Sequence, residues 1–76
     1  MIKLEYIRGQ GEELEKTFIE GALNLEVSEK IVVHFPDDLA KRDFVRPFLE
    51  GALPHVKKYV HEINELSNTY TLRRLK

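Results

Sequence analysis

A chain of 76 residues without cysteine reads as one small domain held by packing alone, because disulfides, thiolate metal sites and cysteine nucleophiles are all excluded. The net charge of −1 conceals a split: residues 1–40 carry nine acids against four bases, and residues 41–76 carry four acids against eight bases. Such an asymmetry either pairs internally or marks a partner-binding face.

The longest apolar run, Ile31-Val32-Val33, falls far below the ~20 residues that span a bilayer, and the amino terminus has no signal-peptide core. A soluble, cytoplasmic protein is the expectation. Ile2, Leu4 and Tyr6 alternate with Lys3 and Glu5, the period of a half-buried strand, which Gly9-Gln10-Gly11 ends. Glu12, Glu13 and Glu15 suit a helix amino terminus, and Leu14, Phe18, Ile19, Ala22 and Leu23 supply a buried stripe behind them. Asn24 to Glu29 reads as a polar connection. Ile31-Val32-Val33-His34-Phe35, bounded by Pro36, reads as an inner strand.

Asp37 or Asp38 is placed to cap a second helix whose apolar face is Leu39, Val45, Phe48, Leu49 and Ala52. Pro47 requires that this helix kink there or that Asp43 cap a fresh segment. Phe18-Ile19-Glu20-Gly21-Ala22-Leu23 recurs as Phe48-Leu49-Glu50-Gly51-Ala52-Leu53. Each copy has the pattern of a helix end with glycine supplying the stop.

Residues 55–66 carry two readings. Val56, Tyr59, Val60, Ile63 and Leu66 fall within about 120° on a helical wheel, which suits a third helix. Their β-branched and aromatic content, and the need of Tyr70-Thr71-Leu72 for a partner, suit a strand from Val56 to Ile63 turning through 64–68 into a last strand from Thr69 to Leu75. The strand is preferred, and the expected fold is an α/β (α+β) two-layer sandwich, βαβαββ, with two helices on one face of a four-stranded mixed sheet. The alternative is βαβααβ. In the expected hairpin Val60 faces Leu72 and Glu62 faces Tyr70, so that Val60, Leu72 and Tyr70 share one side and Lys57, Tyr59, His61 and Arg73 the other.

Pro36-Asp37-Asp38 after a strand, Arg42-Asp43-Phe44 and Phe48 in the next helix, and Tyr70, Leu72, Arg73 and Arg74 in the last strand make residues 31–76 resemble the small TusA-like sulfur-carrier family. The resemblance implies the same βαβαββ sandwich. Family members carry sulfur as a persulfide on a cysteine in a Cys-Pro-x-Pro motif opening the first helix. Here that region reads Gly9-Gln10-Gly11-Glu12, with no thiolate, so the chemistry is not carried over.

No catalytic, cofactor-binding or metal-binding constellation emerges, and the protein is expected not to be an enzyme. His55 and His61 lie about 20 Å apart along a strand and too far apart on a helix to share an ion. His34 with Asp37 and Asp38 is explained by strand-to-helix turn structure and caps. The acids at 12, 13 and 15 are explained by the helix dipole, and they would repel a phosphate at Gly9-Gln10-Gly11.

The remaining candidate is the open sheet face. Val32, His34, Lys57, Tyr59, His61, Arg73 and Leu75 are expected to present it to a protein partner or a second copy of the chain, with Ile7 adding apolar area. The alternative is a nucleic-acid-associated protein using Lys57, Lys58, Arg73, Arg74 and Lys76, without any RNP-like aromatic motif.

Overall fold

The computed structural model describes residues 1–53 and 56–76, and of Val56 the backbone only. Its elements are β1 (Ile2–Glu5), α1 (Gly11–Leu23), β2 (Lys30–His34), α2 (Asp38–Leu49), β3 (Tyr59–Asn64) and β4 (Thr69–Arg74), with a 3-10 turn over Val56–Lys58 ahead of β3. The strands run in the order β1-β2-β4-β3, β1 parallel to β2 and the other pairings antiparallel. This is the α+β two-layer sandwich, βαβαββ with a mixed sheet, and the third helix of the alternative reading does not form. A helix over 59–64 would bury a tidy apolar arc but leave one edge of β4 without partners, and backbone pairing decides the matter.

Both helices cover the same sheet face. Leu14, Phe18 and Ala22 of α1 and Phe44, Val45 and Phe48 of α2 share one buried cluster with Ile31 and Val33 of β2 and Tyr70 and Leu72 of β4. Phe18 is its centre, with ring centroids 4.8 Å from Phe48, 5.6 Å from Phe44 and 5.7 Å from Tyr70. Burying each such side chain contributes about 1.5–3 kcal/mol, and tilted or edge-on ring pairs add about 0.5–1.5 kcal/mol.

Several local expectations are corrected. α1 runs past Gly21 and closes at Asn24, whose backbone N–H and side-chain amide both donate to the Glu20 carbonyl. The connection after it is not wholly polar, since Leu25 is buried in the core. Asp37 caps α2 by accepting the Ala40 N–H at 2.8 Å. The helix continues through Pro47 to Leu49, so Asp43 starts no fresh segment. Pro47 has no N–H to offer the Asp43 carbonyl, and both residues lie on the exposed side of α2, where water can meet that carbonyl instead. The buried face of α2 includes Phe44, while Leu39 and Leu49 are exposed and Ala52 lies beyond the helix.

Candidate functional site

Side chains alternate across a sheet, so the register sorts them into a helix-covered face and an open one. Ile31 and Val33 point to the core, which sends Lys30, Val32 and His34 to the open face. Their partners on β4 are Arg73, Thr71 and Thr69, while β1 adds Lys3 and Glu5 and β3 adds Val60 and Glu62. Three rows therefore cross the face: Lys30–Arg73–Val60, Lys3–Val32–Thr71–Glu62, and Glu5–His34–Thr69–Asn64.

Tyr59 and His61 are not among them. The β3–β4 pairing joins His61 to Leu72 and Ile63 to Tyr70, one residue from the expected register, and a one-residue slip moves every side chain of a strand to the other face. The hairpin loop is residues 65–68. Asn64 begins it by accepting the N–H groups of Leu66 and Ser67 on its side-chain oxygen, and Asn68 adopts a left-handed φ of +51° to close it. Tyr59 is consequently buried on the helix side, its hydroxyl donating to the Ala22 carbonyl at 3.0 Å. His61 stacks on Tyr70, and its Nδ1 shares a hydrogen bond with the Tyr70 hydroxyl. Burial lowers the His61 pKa and raises that of Tyr70, so both groups are held neutral there.

Of the other expected face residues, Val32, His34 and Arg73 are where the alternation put them. His34 is already engaged, its Nε2 donating to the Ser67 carbonyl at 3.1 Å. Leu75 is half exposed one position past β4, in the same phase as Arg73. Lys57 and Lys58 lie in the 3-10 turn and not in a strand. Ile7 lines a shallow depression with Leu14 and Thr17 of α1 and so belongs to the helix side. Arg74 also points to the helix side, donating to the Leu25 and Lys76 carbonyls. The basic residues of the nucleic-acid alternative are therefore divided between two faces.

The face has a feature that follows from the pairing of β2 with β4. Lys30 and Arg73 stand directly opposite one another. Arg74, next to Arg73, takes the backbone bonds to Ser28 and Glu29 just ahead of β2, which makes Lys30–Arg73 a non-hydrogen-bonded pair with Cα atoms about 4.5 Å apart, the closer of the two cross-strand geometries. Like charges in that position repel. Lys3 is one row away, and among the described residues none of these three cations forms an ion pair, the pairs being Arg8–Asp37, Lys41–Asp38 and Arg42–Asp38. Arg73 Nε is buried without an acceptor. The alternation of Lys3 with apolar neighbours was visible in the sequence, but only the register reveals which residues are neighbours across the face.

Among the described residues no group of three or more histidine, aspartate or glutamate side chains is arranged to hold a metal ion, and His55 lies outside the described residues. No described helix is long and apolar enough to cross a membrane. A scan against protein-family models matches none, and searches of curated proteins and of solved structures find no significant match.

Proposed function

We propose that this protein is a non-enzymatic interaction module that presents its uncovered sheet face to an acidic surface of a protein partner. The observation that carries this reading is the Lys30–Arg73 pair, two like charges held opposite each other with no ion-pair partner among the described residues. A carboxylate docked between them would relieve the repulsion by charge-assisted hydrogen bonds with the Lys30 ammonium and the Arg73 guanidinium. Glu5 and Glu62, at opposite margins of the same face, would repel an acidic partner docked off-centre and so set its register.

The test is a titration of isotope-labelled protein, followed by NMR, with a glutamate-rich peptide and separately with a single-stranded oligonucleotide, each at low and high salt. The expected result is salt-sensitive shifts with the peptide, centred on Lys30, Val32, Thr71 and Arg73, and their loss in Arg73→Glu. Shifts scattered over the molecule, or unaltered by the charge reversal, would overturn the reading. Tighter binding of the oligonucleotide, with shifts reaching Lys57, Lys58 and Lys76, would replace it with nucleic-acid association.

A further inference from the structure

β3 is an edge strand, and its outer side can be assigned residue by residue. The Leu75 N–H donates to the Lys58 carbonyl, while Arg74 directs its N–H to the Glu29 carbonyl and its C=O to the Ser28 N–H, on the side of β2 and away from β3. In an antiparallel ladder bonded and non-bonded pairs alternate, so Val60 and Glu62 bond to β4 whereas Tyr59, His61 and Ile63 turn their N–H and C=O groups outward. No hydrogen bond among the described residues engages those six groups. Natural edges are commonly blunted by lysine, proline or a bulge, and within Tyr59–Asn64 none of these is present.

Beside this edge lies a groove of about 320 Å³ between α2 and β3. Its apolar surface comes from Val45, Leu49 and Ile63, the last two about half exposed. Arg42 and Arg46 form its rim with a single carboxylate, Glu50, and exposed Lys57 and Lys58 stand at the start of the strand. Arg42 is paired to Asp38 at 2.8 Å, whereas Arg46 makes no ion pair among the described residues.

We infer that the β3 edge accepts an extended segment of another protein as a fifth strand, with an aliphatic residue in the α2–β3 groove and an acidic residue two positions away beside Arg46. The backbone of such a segment would pair with Tyr59, His61 and Ile63, and its alternate side chains would fall on the helix side, which is how strand addition combines affinity with specificity. A second copy of this chain is the poorer occupant, since the helix-side residues its own β3 would bring are Tyr59, His61 and Ile63, none of them acidic. This site is separate from the open sheet face and stands or falls independently of it.

The test selects a displayed library of random peptides on the full chain and maps the enriched peptides by amide exchange. Expected are sequences alternating aliphatic and acidic residues, slowed exchange at Tyr59, His61 and Ile63, affinity reduced about tenfold by Arg46→Glu, and no change in Arg73→Glu. Ile63→Pro removes an outward N–H without touching the ladder to β4 and abolishes binding. A peptide N-methylated at alternate backbone positions gives the same readout on the unaltered protein, losing affinity in one phase of methylation and keeping it in the other. Peptides without acidic preference, protection elsewhere, indifference to the phase of methylation, failure to enrich any peptide, or protection of β3 by self-association alone would each overturn the proposal.

Discussion

Residues 18–23 and 48–53 differ only at their second position, isoleucine against leucine, yet the fold uses the two hexapeptides differently. Phe18 and Phe48 do the same work, each fully buried and in ring contact with the other. Beyond them the copies diverge. In the first, Gly21 stays helical because α1 presses on β2 there: a Cβ at this position would lie 3.1 Å from Ile31 Cδ1. In the second, Gly51 takes a left-handed φ of +98° with nothing within 4 Å of a would-be Cβ, and it ends α2. Ala22 is buried and Leu23 exposed, whereas Ala52 is exposed and Leu53 buried. The same glycine is a close-approach residue in one place and a chain reversal in the other, because local sequence permits both and the neighbouring strand selects.

The comparison can be broken or sharpened by paired substitutions read in urea unfolding. The largest effect is expected where the copies agree: Phe18→Ala and Phe48→Ala should each cost about 3–5 kcal/mol, and a double mutant should be non-additive because the rings touch. The next is Ala22→Leu, which overpacks a fully buried site and should cost about 1–3 kcal/mol, against Ala52→Leu, within about 0.5 kcal/mol of the parent. Equal effects at the two alanines would show that the second copy is helical too.

The glycines should then separate by mechanism. Gly51→Ala forces a Cβ into left-handed backbone and should cost about 1–2 kcal/mol. In Gly21→Ala the helix gains about 1 kcal/mol in propensity, offset by displacement of the Ile31 methyl, for a net change within about 0.5 kcal/mol. A large loss at Gly21 would mean that Ile31 cannot move.

The smallest effect lies in what each helix covers. α1 packs on β1 and β2, while α2 packs on β4, whose Tyr70 is bonded to His61. Because burial lowers the His61 pKa in the folded state, the unfolded chain binds its proton first. Stability is therefore fully present above the ordinary histidine value of 6.5 and is lost as pH falls below it toward the folded pKa. His61→Gln should flatten that slope, measured as unfolding midpoints on either side of the transition.

Element types were legible where periodicity and chemistry agreed. Lys3 and Glu5 alternating with apolar neighbours, Glu12 and Glu13 in the first turn of α1, and an aspartate cap after Pro36 each have a local explanation, the structure choosing Asp37 over Asp38 for the cap. The candidate face was only half legible. Val32, His34 and Arg73 follow from alternation within their strands, but Tyr59 and His61 depended on the hairpin register, which the Asn64 turn and the left-handed Asn68 set at a loop of residues 65–68. The α2–β3 groove was not legible at all, because Val45, Leu49 and Ile63 meet only through packing.

By itself, then, the amino-acid order determined two helices, the strand alternation, the absence of thiol chemistry and the opposition of charge between the two halves, all of which arise from interactions a few residues apart. Tertiary structure decided that 59–64 is a strand, which face Tyr59 and His61 occupy, where α1 stops and that Lys30 meets Arg73. Those outcomes turn on pairing and packing between residues 5 to 43 positions apart in sequence, from Asn64 and Thr69 at the hairpin end to Lys30 and Arg73 across the sheet, where a shift of one position inverts a face while leaving every local preference satisfied.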